Sequence, residues 1–225
     1  MKYMIHACND RMWYVDEFLV PSMLKQGISE DDIYIYQDVN CDGNLVSFVV
    51  SCHKAYELWG IQNVWHLQDD VVICSDFKER TEELESFDGV ICAFTCNYDE
   101  DNRKPGYGTV IKDIWWSFPC IRIPNDIAKA FATWTDTYVW RDNQYGFWIR
   151  RKKGDDVIFR IYMESYHTND KILNLAPNLV DHVDYLLGGS MVNRQRTMKN
   201  VRSLYWEEDY IVDELAKQID RRNNQ

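Results

Sequence analysis

The stretch Val64-Trp65-His66-Leu67-Gln68-Asp69-Asp70-Val71-Val72-Ile73 decides how the rest of the chain is read. An apolar run leads into two adjacent carboxylates, and a second apolar run follows. Carboxylates are costly to bury without a compensating cation or hydrogen bonds. A strand that ends in paired aspartates therefore marks a place where something positive binds. In a small α/β protein the usual candidate is a divalent metal carrying a phosphorylated ligand.

Upstream of this stretch, Tyr3 to Ala7 reads as a short buried strand. Asn9 and Asp10 are placed to cap a helix from roughly Met12 to Lys25, in which Val15, Phe18, Leu19 and Met23 recur at helical spacing. Gly27 ends it. Ile33 to Tyr36 is a second strand, closing at Gln37-Asp38, and a polar loop with Asn40, Asp42 and Gly43 follows. Asn44 to Trp59 reads as a helix in spite of Val46, Val49 and Val50, and Asn63 to Gln68 as a third strand. This β-α-β-α-β order implies a parallel sheet with right-handed crossovers. Ligands of such sheets bind beyond the carboxyl ends of the strands. Three polar ends converge there: Cys8 to Arg11, Gln37 to Asn40, and Gln68 to Asp70.

Downstream, Ser75 is placed to cap a helix from about Asp76 to Ser86, and Gly89 to Thr95 reads as a fourth strand. Asn97 to Gly108 is polar and holds Pro105 and two Gly, the composition of a loop. Ile111 to Ile123 is apolar and aromatic, with Trp115, Trp116 and Phe118. Pro124 opens another helix, with Asn125 nearby as its cap. Gly154 precedes Asp155-Asp156 and a helix to about Ser165; Ile172 to Val180 is extended; Glu207 to Ile219 is a charged amphipathic helix.

The expected class is α/β, a single domain with a Rossmann-like, mostly parallel sheet flanked by helices. With 225 residues and 46% hydrophobic content the chain suits one core. Its 25 basic and 36 acidic residues, a formal charge of −11, count against a protein that coats nucleic acid and leave room only for local basic patches. Seven Cys, an odd number with no C-x-x-C pair, mostly in apolar segments, point to a reducing compartment. No signal-peptide pattern opens the chain and no apolar run reaches the ~18 residues of a membrane span, so the expected location is the cytosol and no membrane span is expected.

Asp-Asp occurs three times, so context must separate the pairs. Asp31-Asp32, beside Ser29 and Glu30, reads as a solvated turn. Asp69-Asp70 ends an interior strand at the ligand edge and suits metal or ribose contact, with Mg²⁺ or Mn²⁺ as the hard cation. Asp155-Asp156 opens a helix, where carboxylates either complement the dipole or serve as a general base toward an acceptor hydroxyl. His182 stands where the extended segment Pro177-Asn178-Leu179-Val180 turns polar, and its imidazole can complete a carboxylate metal site.

The order of these features resembles the nucleotide-sugar-dependent glycosyltransferases of the GT-A fold, in their bacterial and phage form. "HLQDDVVICSDF" is similar to that family's Asp-x-Asp metal motif, with Gln68 in place of the first Asp. The resemblance implies that Asp70 holds the metal, that Gln68 and Asp69 face the donor ribose or sugar, and that Arg11 and Asp38 lie near the nucleoside. "PNLVDHVDYLLGGS" resembles the late segment whose His, here His182, adds a metal contact. "KGDDVIF" resembles the acidic pair on the acceptor side, with Asp155 or Asp156 as base if the enzyme inverts. It further implies a nucleotide-sugar half (1–96), an acceptor half (97–190) and a C-terminal helical segment (191–225). Trp115 and Trp116 are placed to stack on donor or acceptor, or else are core.

The implied donor is a nucleoside diphosphate sugar, UDP-linked as first choice, and the implied cofactor is Mn²⁺ or Mg²⁺. The basic clusters Arg150-Arg151-Lys152-Lys153 and Arg194, Arg196, Lys199, Arg202 suit a polyanionic acceptor. A hydroxymethylated base in phage DNA fits, with Trp134, Trp140 and Trp148 near in sequence for a flipped base; a cell-surface glycan is the other acceptor. Two rival readings stand beside this one: a catalytically silent nucleotide- or sugar-binding module, and a nucleotidyltransferase. The absence of Gly from His6-Ala7-Cys8-Asn9-Asp10-Arg11 counts against the second.

Overall fold

A computed structural model describes residues 1–40, 42–94, 106–109, 118–139, 154–188 and 206–224. Strand β1 (Lys2–Cys8) lies between β2 (Ile33–Asp38) and β3 (Val64–Gln68), parallel to both. The remaining strands of this sheet are β5 (Val90–Cys92), β6 (Gly106–Thr109), β7 (Cys120–Ile123) and β8 (Lys171–Asn174), and its order is β2-β1-β3-β7-β5-β8-β6. β7 is antiparallel to both β3 and β5, β8 is parallel to β5, and β6 is antiparallel to β8. Only β6 and β7 therefore run against the other five, which makes this a mostly parallel, Rossmann-like sheet. A second, two-stranded sheet pairs β4 (Val71–Ile73) antiparallel with β9 (Val180–His182).

Strand alternation divides the core. On one face of β1 and β3, Tyr3, Ile5, Ala7, Trp65 and Leu67 pack with Tyr14, Leu19, Met23 and Phe77, and with Val212, Leu215 and Ile219. These last groups come from helix α1 (Met12 to Lys25), α3 (Phe77–Glu83) and α6 (Asp209–Asn223). On the other face lie α2 (Asn44–Trp59), α4 (Asn125–Trp134) and α5 (Asp155–Tyr166). Phe48, Phe131 and Phe159 of these helices form an aromatic knot with ring centroids 4.9 to 5.9 Å apart. Burial of each such ring stabilises the fold by about 1.5–3 kcal/mol.

Helix α1 is interrupted by one wide turn, Val15–Leu19, between α-helical Met12–Tyr14 and Val20–Lys25. Pro21 explains the interruption: it has no N–H to donate and its ring needs room over the preceding turn. The helix's first residue follows directly on Arg11.

Several sequence expectations need correction. The end of the polar segment Asn97 to Gly108 is not loop, because Gly106–Thr109 joins the sheet edge as β6. Asn125 does not cap α4 with its side chain; its amide donates instead to the Gly60 carbonyl at 2.6 Å. Neither Asn9 nor Asp10 caps α1, for they form a 3₁₀ turn with Arg11. Ser75 does not cap α3; its N–H and hydroxyl donate to the Glu208 carboxylate and tie the C-terminal segment to the body. The extended Ile172 to Val180 splits into β8 and β9. Trp134 packs against Phe131 and Tyr162 in the core, which leaves no open face for a flipped base. Among the described residues no helix is long and apolar enough to cross a membrane.

Candidate functional site

The carboxyl ends of β1, β2 and β3 meet, as expected for such a sheet, at a cavity of about 80 Å³. Its walls include Cys8 and Arg11 from the first strand end, Asp38 from the second, and Gln68, Asp69 and Asp70 from the third. The N-termini of α2 and α5 add Asn44, Ser47 and Asp155, and His6 adds part of the floor. Four carboxylates and one guanidinium thus share a space the size of a few water molecules.

Asp69 and Asp70 are both buried. Arg11 Nη1 donates to Asp69 Oδ1 at 3.1 Å and also to Asp70 Oδ2. The Cys8 backbone N–H donates to Asp69 Oδ2 at 2.6 Å. The sequence motif announced a cation requirement, and the protein meets part of it from within. Arg11 therefore faces the carboxylates themselves. Burial disfavours its charge, but the two carboxylates outweigh that and hold it protonated. The carboxylates respond in opposite directions. Burial, and then the neighbouring Asp70, raise Asp69. Burial acts on Asp70 too, but His182 and Arg11 overcome it and keep that carboxylate ionised.

His182 reaches Asp70 because β4 pairs with β9. Val71 lies opposite His182, and the Val183 N–H donates to the Asp70 carbonyl at 2.8 Å. His182 Nε2 lies 3.2 Å from Asp70 Oδ2, and Nδ1 lies 3.4 Å from Asp184 Oδ1. Burial opposes the charged imidazole, but Asp70 more than compensates and lifts its pKa to about 9.

The residues present fit a hard cation in one respect that can be pointed to. Asp70 Oδ1 is buried without a hydrogen-bond partner among the described residues. An acceptor left bare in this way costs about 1–3 kcal/mol. One carboxylate and one imidazole make a minimal donor set, of the kind Mg²⁺ or Mn²⁺ uses when substrate phosphates supply further oxygens. Among the described residues there is no cluster of three or more His, Cys, Asp or Glu arranged to hold a metal by themselves.

The second acidic pair is split by the helix it opens. Asp155 is buried and lines the cavity, where it accepts from Gln68 Nε2 at 3.3 Å. Asp156 turns to its own helix end, where Oδ1 accepts from the Val157 N–H at 2.8 Å. The helical period contains this distinction. Asp155, Ile158, Phe159 and Tyr162 form the buried face of α5, so the carboxylate in phase with the apolar residues is the inward one. Burial, and secondarily Asp156, raises the Asp155 pKa to about 7.

Asp38 accepts from the backbone N–H groups of Asp42 and Gly43 at 3.1 and 3.2 Å and thereby shapes the turn into α2. Asp31 and Asp32 lie in a 3₁₀ turn, with Asp32 paired to Lys2 at 2.5 Å. Trp115, Trp116, Trp140, Trp148 and both basic clusters lie outside the described residues. Three lining residues were not anticipated. Asn44 and Ser47 share one face of α2, three residues apart. His6 sits on β1 two residues before the strand's polar end.

No protein-family model matches the chain, and no curated protein sequence matches it. Several solved structures are similar to it in part. One is A197 from STIV: 17% identity over 81% of this chain and 85% of that one, TM-score 0.46. A glycosyltransferase involved in glycosylation of the major capsid of PBCV-1 has 12% identity over 79% and 82%, TM-score 0.41. A putative glucose-1-phosphate thymidylyltransferase from Bacillus anthracis has 9% identity over 88% and 97%, TM-score 0.45. The functional reading rests on the residues of the cavity.

Proposed function

We propose that the chain transfers a sugar from a nucleoside diphosphate sugar, UDP-linked in the first instance, to an acceptor hydroxyl. The observation that carries this reading is that two acidic groups line one cavity. Asp69 and Asp70, with Arg11 and His182, form a charged end suited to a diphosphate and its cation. Asp155, held near neutrality in its proton affinity, forms an end suited to taking a proton.

In this reading Asp70 and His182 would hold Mn²⁺ or Mg²⁺, the imidazole releasing its second proton to solvent as the cation takes its place beside Asp70, with Asp69 and Gln68 toward the donor sugar. When bound, the cation neutralises the diphosphate and stabilises the departing nucleotide. Arg11 adds a fixed positive charge beside the leaving group. Asp155 Oδ accepts the proton of the acceptor hydroxyl as that oxygen attacks the anomeric carbon. With a pKa near 7, the group is ionised often enough at neutral pH to act and basic enough to gain by accepting. Asp156, turned to its helix end, orients α5 and is not the base.

The acceptor rests on the sequence alone. The two basic clusters favour a polyanion, either hydroxymethylated phage DNA or a charged cell-surface glycan. A thermal-shift series with nucleoside diphosphates and Mn²⁺ tests the donor side, because a ligand that binds only the folded state raises Tm by mass action. Asp70→Ala should abolish Mn²⁺-dependent transfer or hydrolysis of the nucleotide sugar with the fold intact; full activity in that variant would overturn the metal assignment. Incubation with UDP-sugars and hydroxymethylated duplex DNA, read by nucleoside mass, decides between the acceptors.

A further inference from the structure

His66, buried, and His6, half-buried at the cavity wall, form an imidazole pair, and neither has a place in the chemistry above. His6 Nε2 lies 3.0 Å from His66 Nδ1, so one proton is shared along that line. Phe48 packs on both rings, with centroids 5.6 Å from His6 and 5.5 Å from His66. Burial keeps both imidazoles neutral, with the His6 pKa pushed down to about 3 and that of His66 lowered further by His6. Each ring therefore carries one N–H, and the pair has two arrangements.

In the first, His66 Nδ1–H donates to His6 Nε2. His6 then carries its proton on Nδ1, and His66 Nε2 is a bare lone pair. In the second, His6 Nε2–H donates to His66 Nδ1. His6 Nδ1 is then a lone pair, and His66 carries an N–H on Nε2. His66 Nε2 is buried with no hydrogen-bond partner among the described residues. The second arrangement therefore buries an orphan donor and the first an orphan acceptor; orphan N–H groups are the rarer in folded proteins. The cavity argues the same way. His6 is half-buried, lines the cavity and has Nε2 committed to His66, so Nδ1 is the ring nitrogen left to the ligand. Four carboxylates against one guanidinium make that space electronegative, and an N–H dipole is favoured there over a lone pair.

We infer that His66 locks His6 in the Nδ1–H form, so that His6 is a fixed, uncharged hydrogen-bond donor in the wall of the cavity, which Asn44 and Ser47 also line, and selects an oxygen acceptor on the ligand. The matching chemistry is a carbonyl or hydroxyl oxygen of the nucleoside, away from the diphosphate that the Arg11 end takes. The ligand assignment rests on the donor reading of the cavity; the proton placement does not.

Nitrogen NMR of the protein labelled in its histidines tests the placement directly, because protonated and bare ring nitrogens resonate far apart. The chain has five His, assignable by single His→Gln variants. The expected result is both His6 and His66 protonated on Nδ1 and bare on Nε2 at pH 7. A protonated Nε2 on His66 would overturn the inference. UDP with Mn²⁺ is the probe for the donor role. It should shift the His6 Nδ1 proton, and its Kd should rise about tenfold in His6→Ala, the effect of one lost hydrogen bond, with partial recovery in His6→Gln. Equal UDP affinity in wild type and His6→Ala would overturn the donor role and leave sugar transfer standing. Failure of wild type to bind UDP would overturn that donor class, and the nitrogen shifts would still decide the proton placement.

Discussion

Gln68 Nε2 donates to Asp155 Oδ2 across 3.3 Å, which links the end of an interior strand to a helix 87 positions later. This contact explains why an amide stands where an acid was expected. A carboxylate at position 68 would face Asp155 as well as the Asp69-Asp70 pair, a third like charge in one small cavity. The amide also steadies the ionised form of Asp155 against the burial that raises its pKa. Gln68→Glu keeps the length, removes the donor and adds a charge. The rising limb of activity against pH should then move to higher pH by about one unit; an unchanged profile would separate Gln68 from the proton-accepting group.

Asp155→Asn should lower turnover at least about a hundredfold, the usual contribution of a positioned base. The same substitution should stabilise the protein above neutrality. The folded-state pKa is raised from 3.8 to about 7, so the folded form holds a proton that the unfolded chain releases at lower pH. The stability Asp155 contributes is full below about pH 4 and is lost as pH rises through about 7. Urea unfolding at pH 5 and pH 8 reads this as a difference: the stability of wild type relative to the Asn variant should fall between the two pH values.

Arg11→Leu removes the guanidinium that neutralises two buried carboxylates. The metal-free variant should lose about 3–5 kcal/mol, the cost of leaving a buried charge without its partner. Mn²⁺ should recover part of that loss, because the cation then supplies what Arg11 supplied. Tm measured in EDTA and in Mn²⁺ checks this; an equal Mn²⁺ effect on wild type and variant would place cation and guanidinium in separate sites.

Arg122, fully buried on β7, donates to the carbonyls of Leu84, Glu85, Phe87 and Gly89. It supplies the hydrogen bonds that the turn between α3 and β5 lacks. Arg122→Ala should cost about 3 kcal/mol or more, visible in denaturant unfolding. Nucleotide affinity per folded molecule should stay as it was, since Arg122 is not among the residues that line the cavity.

Much of this was legible because it is local. Asn44 to Trp59 reads as a helix from its own residues and is one over those same bounds. The three polar strand ends follow from element order, and they do meet. His182 was legible only as a polar break in an extended run; its approach to Asp70 depends on a strand pairing across more than a hundred residues. β7 was hidden for the same reason, since its antiparallel place between β3 and β5 has no local signature. The β6 edge strand forms from a glycine-bearing polar segment whose composition argues for loop. Arg11 was read as a nucleoside contact because sequence shows charge and not direction. The sequence offers Asp155 and Asp156 alike as base; the choice between them lies in the period of Ile158, Phe159 and Tyr162, which extends back one turn to Asp155.

The position of β7 also governs how the chain is made. β3 and β5 are complete once about 92 residues exist, yet they do not touch until Cys120–Ile123 slots between them. On the ribosome the first three strands wait with one edge bare, and an exposed edge invites pairing with another chain. Slow synthesis through that interval favours aggregation, whereas a chaperone that shields the β3 edge favours yield. A split version cut near residue 100 would divide neighbours in one sheet, and its two pieces should be soluble only when expressed together.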